Sequence, residues 1–297
     1  MAARVLVFGR AGQVARALAE RPGGMALSFA GRDTLDLTAP TADIAGLIAR
    51  TGPDAVINAA AYTAVDRAES EPQICARLNR DAPLAMAEAC AAADIPFAHF
   101  STDYVFDGLK GSPYVESDAR SPVNVYGRSK AEGEAALEAL AAERGGRGAV
   151  IRTSWVFSAR GPSFLQSMLR LARDREELGV VDDQHGRPTS ADACAAAALA
   201  LIRRLLDRDP AAPGLVHMAG ADAMSWADFA ETIFAVSRAR GGPSARVRRI
   251  ATAEYPTPAV RPRDTRLDCS RMEAMVGWRP PPLSEALADC FGRMELA

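Results

Sequence analysis

Two side chains in the middle of the chain have the types and spacing of a proton-transfer site. Tyr126 and Lys130 stand four residues apart at the start of a predicted amphipathic helix, so they share one face of it. An ammonium group beside a phenol favours the phenolate and lowers its pKa from about 10 towards neutrality. We therefore predict that Tyr126 is a general acid. The same spacing is also typical of an exposed helical pair, so the interpretation depends on other motifs.

A hydroxyl group supplies the second part of this site. Thr102 follows an apolar stretch that we predict to be a strand. When hydride adds to a carbonyl carbon, negative charge builds on the oxygen, and two aimed hydroxyl donors stabilise that charge in the transition state. We predict that Thr102 and Tyr126 are these donors. Lys130, with three N–H donors, can also hold the hydroxyls of a nicotinamide ribose.

A dinucleotide-binding loop is predicted near the N-terminus. Gly9 and Gly12 lie between an apolar run and a helical pattern that begins at Gln13. Glycines at this spacing let the backbone turn tightly and approach a pyrophosphate at a helix N-terminus. A plain glycine turn is the alternative, but the position directly after an N-terminal strand favours a dinucleotide.

The end of the second predicted strand indicates which dinucleotide is bound. Arg32 stands where an acidic residue would bind the ribose 2′-hydroxyl of NADH and where an arginine favours the 2′-phosphate of NADPH. We predict NADPH, with NADH as the alternative if Arg32 is only a solvated loop residue. Further predicted cofactor contacts are Asp36, Leu37, Ala59, Ala60 and Ala61.

The elements that must position these residues alternate between strand and helix patterns. The predicted strands are Arg4 to Phe8, Leu27 to Ala30, Ala55 to Asn58, Phe97 to Ser101 and Ala149 to Thr153. The predicted helices between them are Gln13 to Glu20, Ala42 to Arg50, Asn79 to Ala93 and Val125 to Arg144. This alternation predicts an α/β fold with a Rossmann-type doubly wound parallel sheet.

The pattern becomes less regular after Arg152, with repeated Gly and Pro breaks and a further helix predicted at Trp226 to Arg238. We predict an NADP(H)-binding domain over residues 1–152, which also receives part of residues 178–206. Residues 153–297 form mainly a smaller, C-terminal substrate-binding lobe.

Composition narrows the class of protein. The 297 residues include 35 Lys and Arg against 37 Asp and Glu, so we expect no nucleic-acid partner. Five isolated cysteines are predicted to be buried and reduced, and the short apolar N-terminal run predicts neither a signal peptide nor a membrane span. We expect a cytoplasmic protein. The histidines, of which His185 is a possible pocket residue, are predicted to be structural, and no metal site is expected.

Longer motifs extend these observations over nearly the whole chain. They are Gly9-x-x-Gly12-Gln13-Val14, Asn58-Ala59-Ala60-Ala61-Tyr62-Thr63-Ala64-Val65-Asp66-x-Ala68-Glu69, Ser101-Thr102-Asp103-Tyr104-Val105-Phe106-Asp107-Gly108, Tyr126-Gly127-x-Ser129-Lys130, Arg152-Thr153-Ser154-Trp155-Val156-Phe157, Asp182-Asp183-Gln184, Arg261-Pro262 and Thr265-Arg266-Leu267-Asp268. Together they resemble the dTDP-4-dehydrorhamnose reductases, a family of extended short-chain dehydrogenases.

The resemblance implies NADPH-dependent reduction of the C4 keto group of dTDP-4-dehydro-L-rhamnose to dTDP-L-rhamnose, a step in the synthesis of cell-surface polysaccharide. It implies that Asp103 and Trp155 contact the sugar. The resemblance also implies that the catalytic residues are Thr102, Tyr126 and Lys130. The cofactor contacts that it adds are Gln13, Val14 and Tyr62, with Tyr126 and Lys130 contacting the cofactor as well.

Related activities stay open as alternatives. Sugar 4,6-dehydratases carry an Asp-Glu pair after the threonine, whereas this chain has Asp103-Tyr104 and lacks the second carboxyl group that elimination needs. Another nucleotide-4-ketosugar reductase is a second possibility, and a non-catalytic NADP-binding regulatory subunit, similar to the β subunit of methionine adenosyltransferase, is a third. Ala17 stands where some relatives carry a glutamate for Mg²⁺, so a metal-bridged dimer is doubtful, and we expect a monomer or weak homodimer.

Overall fold

The computed structural model describes residues 1–39, 42–212, 214–277 and 279–294, so the last three residues of the predicted C-terminal lobe lie outside it. The strands in these ranges are β1 (Arg4–Phe8), β2 (Ala26–Ala30), β3 (Ala55–Asn58), β4 (Phe97–Thr102), β5 (Gly148–Thr153), β6 (Val156–Phe157), β7 (Glu177–Val181), β8 (His185–Gly186), β9 (Thr189–Ser190), β10 (Gly214–His217), β11 (Met224–Ser225) and β12 (Arg246–Ile250).

The α-helices in the same ranges are α1 (Gln13–Glu20), α2 (Ile44–Thr51), α3 (Val65–Ala68), α4 (Pro72–Ala76), α5 (Ala82–Ala92), α6 (Val125–Arg144), α7 (Phe164–Leu171), α8 (Ala191–Leu206), α9 (Trp226–Arg238), α10 (Ser270–Val276) and α11 (Leu283–Gly292). None of these helices is long and apolar enough to cross a bilayer. All five cysteines are buried and free of disulfides, as predicted.

A parallel six-stranded sheet forms the centre of the molecule, in the order β10-β5-β4-β3-β1-β2. The chain starts in β1, adds β2 on one side and then crosses to β3 on the other, so the sheet is doubly wound. All four residues of β3 are buried because helices cover both faces of the sheet. The predicted fold class is confirmed.

Several predicted elements have the observed bounds, among them β1, β3, α1, α6 and α9. The helix predicted to start at Asn79 differs, because a π-type turn over Arg77–Asp81 joins α4 to α5. Pro83 has no N–H to donate to the carbonyl of Asn79, which favours this wider turn. α6 packs closely against it, since a Cβ at Gly133 would collide with the Asn79 carbonyl.

The C-terminal part of the chain contributes to both the sheet and a separate core. α8, which lies within residues 178–206, packs against α1, and β10 joins the sheet edge beside β5. A second apolar cluster, which includes Phe157, Leu165, Phe229 and Phe291, is built from α7, α9 and α11. The domain boundary at residue 152 stays a prediction, with α8 and β10 crossing back to the sheet.

A buried ion pair holds α6 on the sheet. Arg152 of β5 and Glu134 of α6 form a two-pronged contact, with Nε to Oε1 at 2.9 Å and Nη2 to Oε2 at 2.6 Å, and each side chain is 1% exposed. Arg120 also donates to Glu134, and His217 Nε2 lies 3.2 Å from the Arg152 guanidinium. Because Tyr126 and Lys130 lie on the same helix, this pair also sets their position.

Removing one partner of this pair should destabilise the protein strongly. Glu134→Gln leaves the Arg152 charge buried without its carboxylate, and we expect the free energy of unfolding in urea to fall by about 3 to 5 kcal/mol. Glu138→Gln is the matched control, since Glu138 lies one turn further along α6 and pairs with Arg120 at the surface. Its loss should stay below about 1 kcal/mol. Equal losses would show that burial does not distinguish the two pairs.

Candidate active site

A cavity of 750 Å³ lies at the carboxyl ends of β1 and β3, where the strand order reverses. This is the place where an open parallel sheet binds its ligand. The predicted cofactor contacts that line it are Gly9, Gly12, Arg32, Asp36, Leu37, Ala59, Ala60 and Ala61. The structure therefore brings together residues that are up to about fifty positions apart in sequence.

The glycine loop leaves room for a ligand at this cavity. Gly9 has a φ of +103°, and a Cβ there would lie 3.1 Å from the backbone of Ala59 and Ala60. Gly12 precedes α1 and carries no side chain that would cover the first turn of the helix. Free N–H groups at a helix start attract phosphate, so the loop fits a pyrophosphate.

Charged residues surround the ribose end of the predicted cofactor site. Arg32 is exposed and lines the cavity, and Arg10 pairs with Asp33 at 2.9 Å. Asp36 accepts hydrogen bonds from the N–H and hydroxyl of Thr38, which lower its pKa. A cation at the end of β2 is the arrangement that favours a 2′-phosphate.

Five predicted cofactor contacts lie outside the lining of this cavity: Gln13, Val14, Tyr62, Tyr126 and Lys130. Gln13 donates to the Val156 carbonyl at 3.3 Å and accepts from the Ser158 hydroxyl at 2.9 Å. Val14 packs against the core under α1, and the Tyr62 hydroxyl donates to Glu71. Their contact with the cofactor stays a prediction.

Thr102 and Tyr126 meet at the end of β4. Thr102 is the last residue of the strand, and its hydroxyl oxygen accepts the Tyr104 N–H at 3.2 Å. Asn124 caps α6 by accepting the Gly127 N–H, which places Tyr126 in the first turn. The Tyr126 ring packs edge-on against Tyr104, with 5.8 Å between the ring centroids, and the Thr102 side chain is near enough to favour the phenolate form of Tyr126. Their role as a pair of hydroxyl donors stays a prediction.

Lys130 is buried beneath this pair. Its Nζ donates to the Phe100 carbonyl at 2.5 Å and lies 3.1 Å from His99 Nε2. Burial lowers the pKa of Lys130 to about 8, while the carboxylate of Glu134 acts in the opposite direction. The amine thus titrates much closer to neutral pH than an exposed lysine.

The expected pKa shift of Tyr126 is wrong. We expected Lys130 to lower it, but burial raises the pKa of Tyr126 above its ordinary value, and the nearby Thr102 side chain opposes this only in part. The reason is that Lys130 directs its amine to His99 and the Phe100 carbonyl. Tyr126 is therefore protonated at neutral pH, which is the form a proton donor needs.

Asp103 and Trp155, the predicted sugar contacts, are both held by neighbouring side chains. Asp103 is buried, accepts from the Thr102 hydroxyl at 3.1 Å and also from Thr265, and burial raises its pKa to about 7. The half-buried Trp155 ring stacks on Trp226 at 3.5 Å. Contact of Asp103 and Trp155 with the sugar stays a prediction.

A second cleft, of 550 Å³, is lined by Tyr104, Trp226 and Arg261. Arg261 is tied to Asp66 by an ion pair of 2.9 Å. The lining of this cleft comes from the turn after β4 and from α7, β7 and α9, and its volume is that of a small-molecule pocket.

Sequence reasoning missed some of the residues that surround the catalytic pair. Thr265 was noticed only as part of a motif, and Asn58 only as the start of another. His99 was predicted to be structural, whereas it contacts both Asn58 and Lys130. No local pattern in the sequence signals this contact, because it depends on the register of β3 and β4.

In the described part of the chain, no group of three or more His, Cys, Asp or Glu residues could hold a metal ion. Ala17, at the position considered for Mg²⁺, is buried in α1.

The doubly wound sheet, the glycine loop and the Thr-Tyr-Lys set together define a short-chain dehydrogenase/reductase. The family model of the RmlD substrate binding domain matches residues 3–296. A dTDP-4-dehydrorhamnose reductase of Sinorhizobium fredii is 44% identical over 95% of each chain, and one of Escherichia coli K12 is 38% identical over 91% of this chain and 90% of the relative. The chain belongs to the dTDP-4-dehydrorhamnose reductase family.

Solved structures agree with this assignment. The dTDP-4-dehydrorhamnose reductase of Bacillus anthracis, in complex with NADP, is 29% identical, with a TM-score of 0.88 over 99% of this chain and 100% of that one. The enzyme of Clostridium acetobutylicum is 30% identical, also with a TM-score of 0.88, over 97% and 98%. A UDP-glucose 4-epimerase of Brucella ovis, at 18% identity and a TM-score of 0.78, shares the fold.

The lowered pKa of Lys130 predicts a pH-dependent contribution to stability. The unfolded lysine titrates near 10.5 and the folded one at about 8, so between these values the unfolded chain binds a proton that the folded chain lacks. Stability from this group therefore rises with pH in that window. Lys130→Met lacks this effect. Between about pH 7 and about pH 9.5, the free energy of unfolding of the wild type should therefore rise by about 2 kcal/mol relative to that of Lys130→Met. A difference that stays constant in urea unfolding would contradict the shifted pKa.

Proposed function

We propose that this protein reduces the C4 keto group of dTDP-4-dehydro-L-rhamnose with NADPH, which produces dTDP-L-rhamnose for surface polysaccharide. The observation that carries this proposal is the placement of Thr102 and Tyr126 at the end of β4, the strand next to β3, after which Ala59 lines the dinucleotide cavity. The names of the curated relatives and the NADP complex of the B. anthracis enzyme support the same substrate and cofactor.

The residues of the chain provide the proton and the binding geometry. NADPH, when bound, supplies the hydride that reduces the carbonyl carbon. Tyr126 gives its proton to the carbonyl oxygen, and Thr102 donates a hydrogen bond to that oxygen as charge develops on it. Lys130 holds the ribose hydroxyls and, in its charged form, eases the return of a proton to the phenolate.

The cleft lined by Tyr104 and Trp226 is the proposed site of the nucleotide sugar. Aromatic faces there suit the apolar face of a deoxysugar ring, and Asp103 and Trp155 are the proposed sugar contacts. Arg261 and Arg175 add positive charge for the pyrophosphate of the substrate.

Replacing Tyr126 tests the reaction and the role of the tyrosine together. NADPH oxidation is measured with dTDP-4-dehydro-L-rhamnose and with other nucleotide 4-ketosugars. The wild type should prefer the first substrate. Tyr126→Phe should lower kcat by about 100-fold or more, with NADPH binding retained, because the ring stays and only the proton is lost.

Unchanged turnover of Tyr126→Phe would reject the tyrosine as proton donor. Activity of the wild type with a different ketosugar would redirect the substrate assignment. Tight NADPH binding without activity on any ketosugar, together with a stable protein partner, would favour a regulatory subunit.

The cofactor preference is tested separately at Arg32. Arg32→Ala should raise the Kd of NADPH by about tenfold or more and change the Kd of NADH little, because only NADPH carries the 2′-phosphate. Arg16→Ala removes another cation from the same cavity and is the matched control, for which we expect equal effects on both cofactors. Equal losses with Arg32→Ala, measured by fluorescence titration, would show that Arg32 does not select NADPH.

A further inference from the structure

A chain of buried hydrogen bonds runs from the cofactor cavity to Lys130. The Ala60 N–H donates to Asn58 Oδ1 at 3.0 Å, Asn58 Nδ2 lies 3.0 Å from His99 Nδ1, and His99 Nε2 lies 3.1 Å from Lys130 Nζ. Asn58 and His99 are register partners in β3 and β4. The three side chains are each 1% exposed, so water does not compete for these contacts.

The direction of each hydrogen bond follows from the backbone amide at one end. The Ala60 N–H can only donate, so the carbonyl oxygen of the Asn58 amide must face it. The NH₂ group of Asn58 then faces His99 Nδ1, which must accept. A neutral imidazole with an accepting Nδ1 carries its proton on Nε2. His99 therefore presents an N–H to Lys130.

A charged lysine does not fit the direction of these hydrogen bonds. An ammonium has three donors and no acceptor, so it would oppose the Nε2–H of His99, whereas a neutral amine accepts from Nε2–H and donates to the Phe100 carbonyl. We propose that Asn58 and His99 are positioning residues that favour the neutral form of Lys130 over the charged form and couple its protonation to the tautomer of His99.

Protonation of Lys130 then requires every hydrogen bond from Lys130 to the Ala60 N–H to rearrange. His99 must move its proton to Nδ1, and the Asn58 amide must turn, which sets its NH₂ group against the Ala60 N–H. Because Ala60 lines the dinucleotide cavity, the rearrangement reaches the place where the cofactor is proposed to bind. The lysine and the cavity are therefore linked through Asn58 and His99, two buried side chains that line neither cleft.

Other charged and titratable groups around Lys130 act on the same equilibrium. Glu134, one turn further along α6, favours the charged amine, and so does Cys75 from α4. His99 from β4 is held neutral, since burial and the charge of Lys130 lower its pKa well below the usual range. Tyr126 lies one turn before Lys130 on α6. Burial disfavours the charged amine more strongly than Glu134 and Cys75 favour it, so the pKa of Lys130 is lowered to about 8.

The consequence for catalysis rests on the proposed function, but the arrangement itself can be tested in the cofactor-free protein. The sequence contains two lysines, Lys110 and Lys130, and three histidines, so selective labels give few and separable NMR signals. The ¹³Cε resonance reports the titration of each lysine, and the two ¹⁵N shifts report the tautomer of each histidine. Lys110→Arg and His99→Gln assign the signals.

In the wild type we expect the Nε2–H tautomer of His99 when Lys130 is neutral. As pH falls, the ¹⁵N signals of His99 should change with the same midpoint as the ¹³Cε signal of Lys130. That midpoint should lie at least about one pH unit below that of Lys110. An Nδ1–H tautomer at every pH, or equal midpoints for the two lysines, would overturn the proposal.

Asn58→Asp should reverse the direction of these hydrogen bonds, because aspartate has almost the same shape as asparagine but carries no N–H donor. A carboxylate accepts from both the Ala60 N–H and His99 Nδ1–H, which leaves Nε2 to accept from a charged lysine. We expect the Nδ1–H tautomer of His99 and a rise in the Lys130 midpoint of about one pH unit or more. If the midpoint rises while His99 keeps its Nε2–H tautomer, the effect is that of charge alone and the proposal fails.

Asn79→Asp is the matched control. Asn79 is also buried and contacts Ser129 on α6, but it does not touch His99. A carboxylate there should leave the His99 tautomer unchanged, and a switch would overturn the proposal. If Asn58→Asp does not fold, the coupled titration in the wild type still decides. If the proposed function is wrong but this inference is right, the protein will lack reductase activity while the expected NMR pattern is still observed.

Discussion

The position of α6 on the sheet is the constraint on which the site depends. The Arg152 and Glu134 pair closes the space between β5 and this helix in the protein interior, where leaving either charge without its partner would be costly. Asn124 sets the start of the same helix, and Gly133 allows it to lie directly on the π-type turn. The phenol of the proposed acid and the amine of Lys130 are carried on one rigid element, and their distance from the end of β4 follows from these contacts.

Burial that positions these groups also sets their protonation. The same exclusion of water raises the pKa of Tyr126 and of Asp103 and lowers that of Lys130. A phenol that keeps its proton and an amine that gives it up readily are complementary, since one group delivers a proton while the other can take part in replacing it. The local electrostatics therefore arise here from packing as much as from any single charge, and they bring the pKa values of Asp103 and Lys130 close to neutral pH.

The order of the strands places the dinucleotide cavity and the end of β4 on neighbouring strands. The glycine loop after β1 and the alanines after β3 lie at the reversal point of the sheet, and β4 ends beside them at Thr102. The C-terminal lobe closes the other side with its own apolar core, and the Arg261 and Asp66 pair ties a late segment of the chain to α3. Tyr104, in the turn directly after β4, lines the proposed sugar cleft.

The sequence by itself determined the fold class, the bounds of β1, β3, α1 and α6 and the position of the glycine loop, because local periodicity and turn chemistry are properties of short segments. It also predicts Thr102, Tyr126 and Lys130 as the catalytic set, from motif and helical spacing. The tertiary structure alone decided which distant side chains meet. The register of β3 against β4 joined Asn58 to His99, the crossover of α6 brought Glu134 to Arg152, and water exclusion reversed the expected pKa shift of Tyr126. Register, crossover and solvent exclusion involve segments far apart in the chain, and no local pattern encodes them.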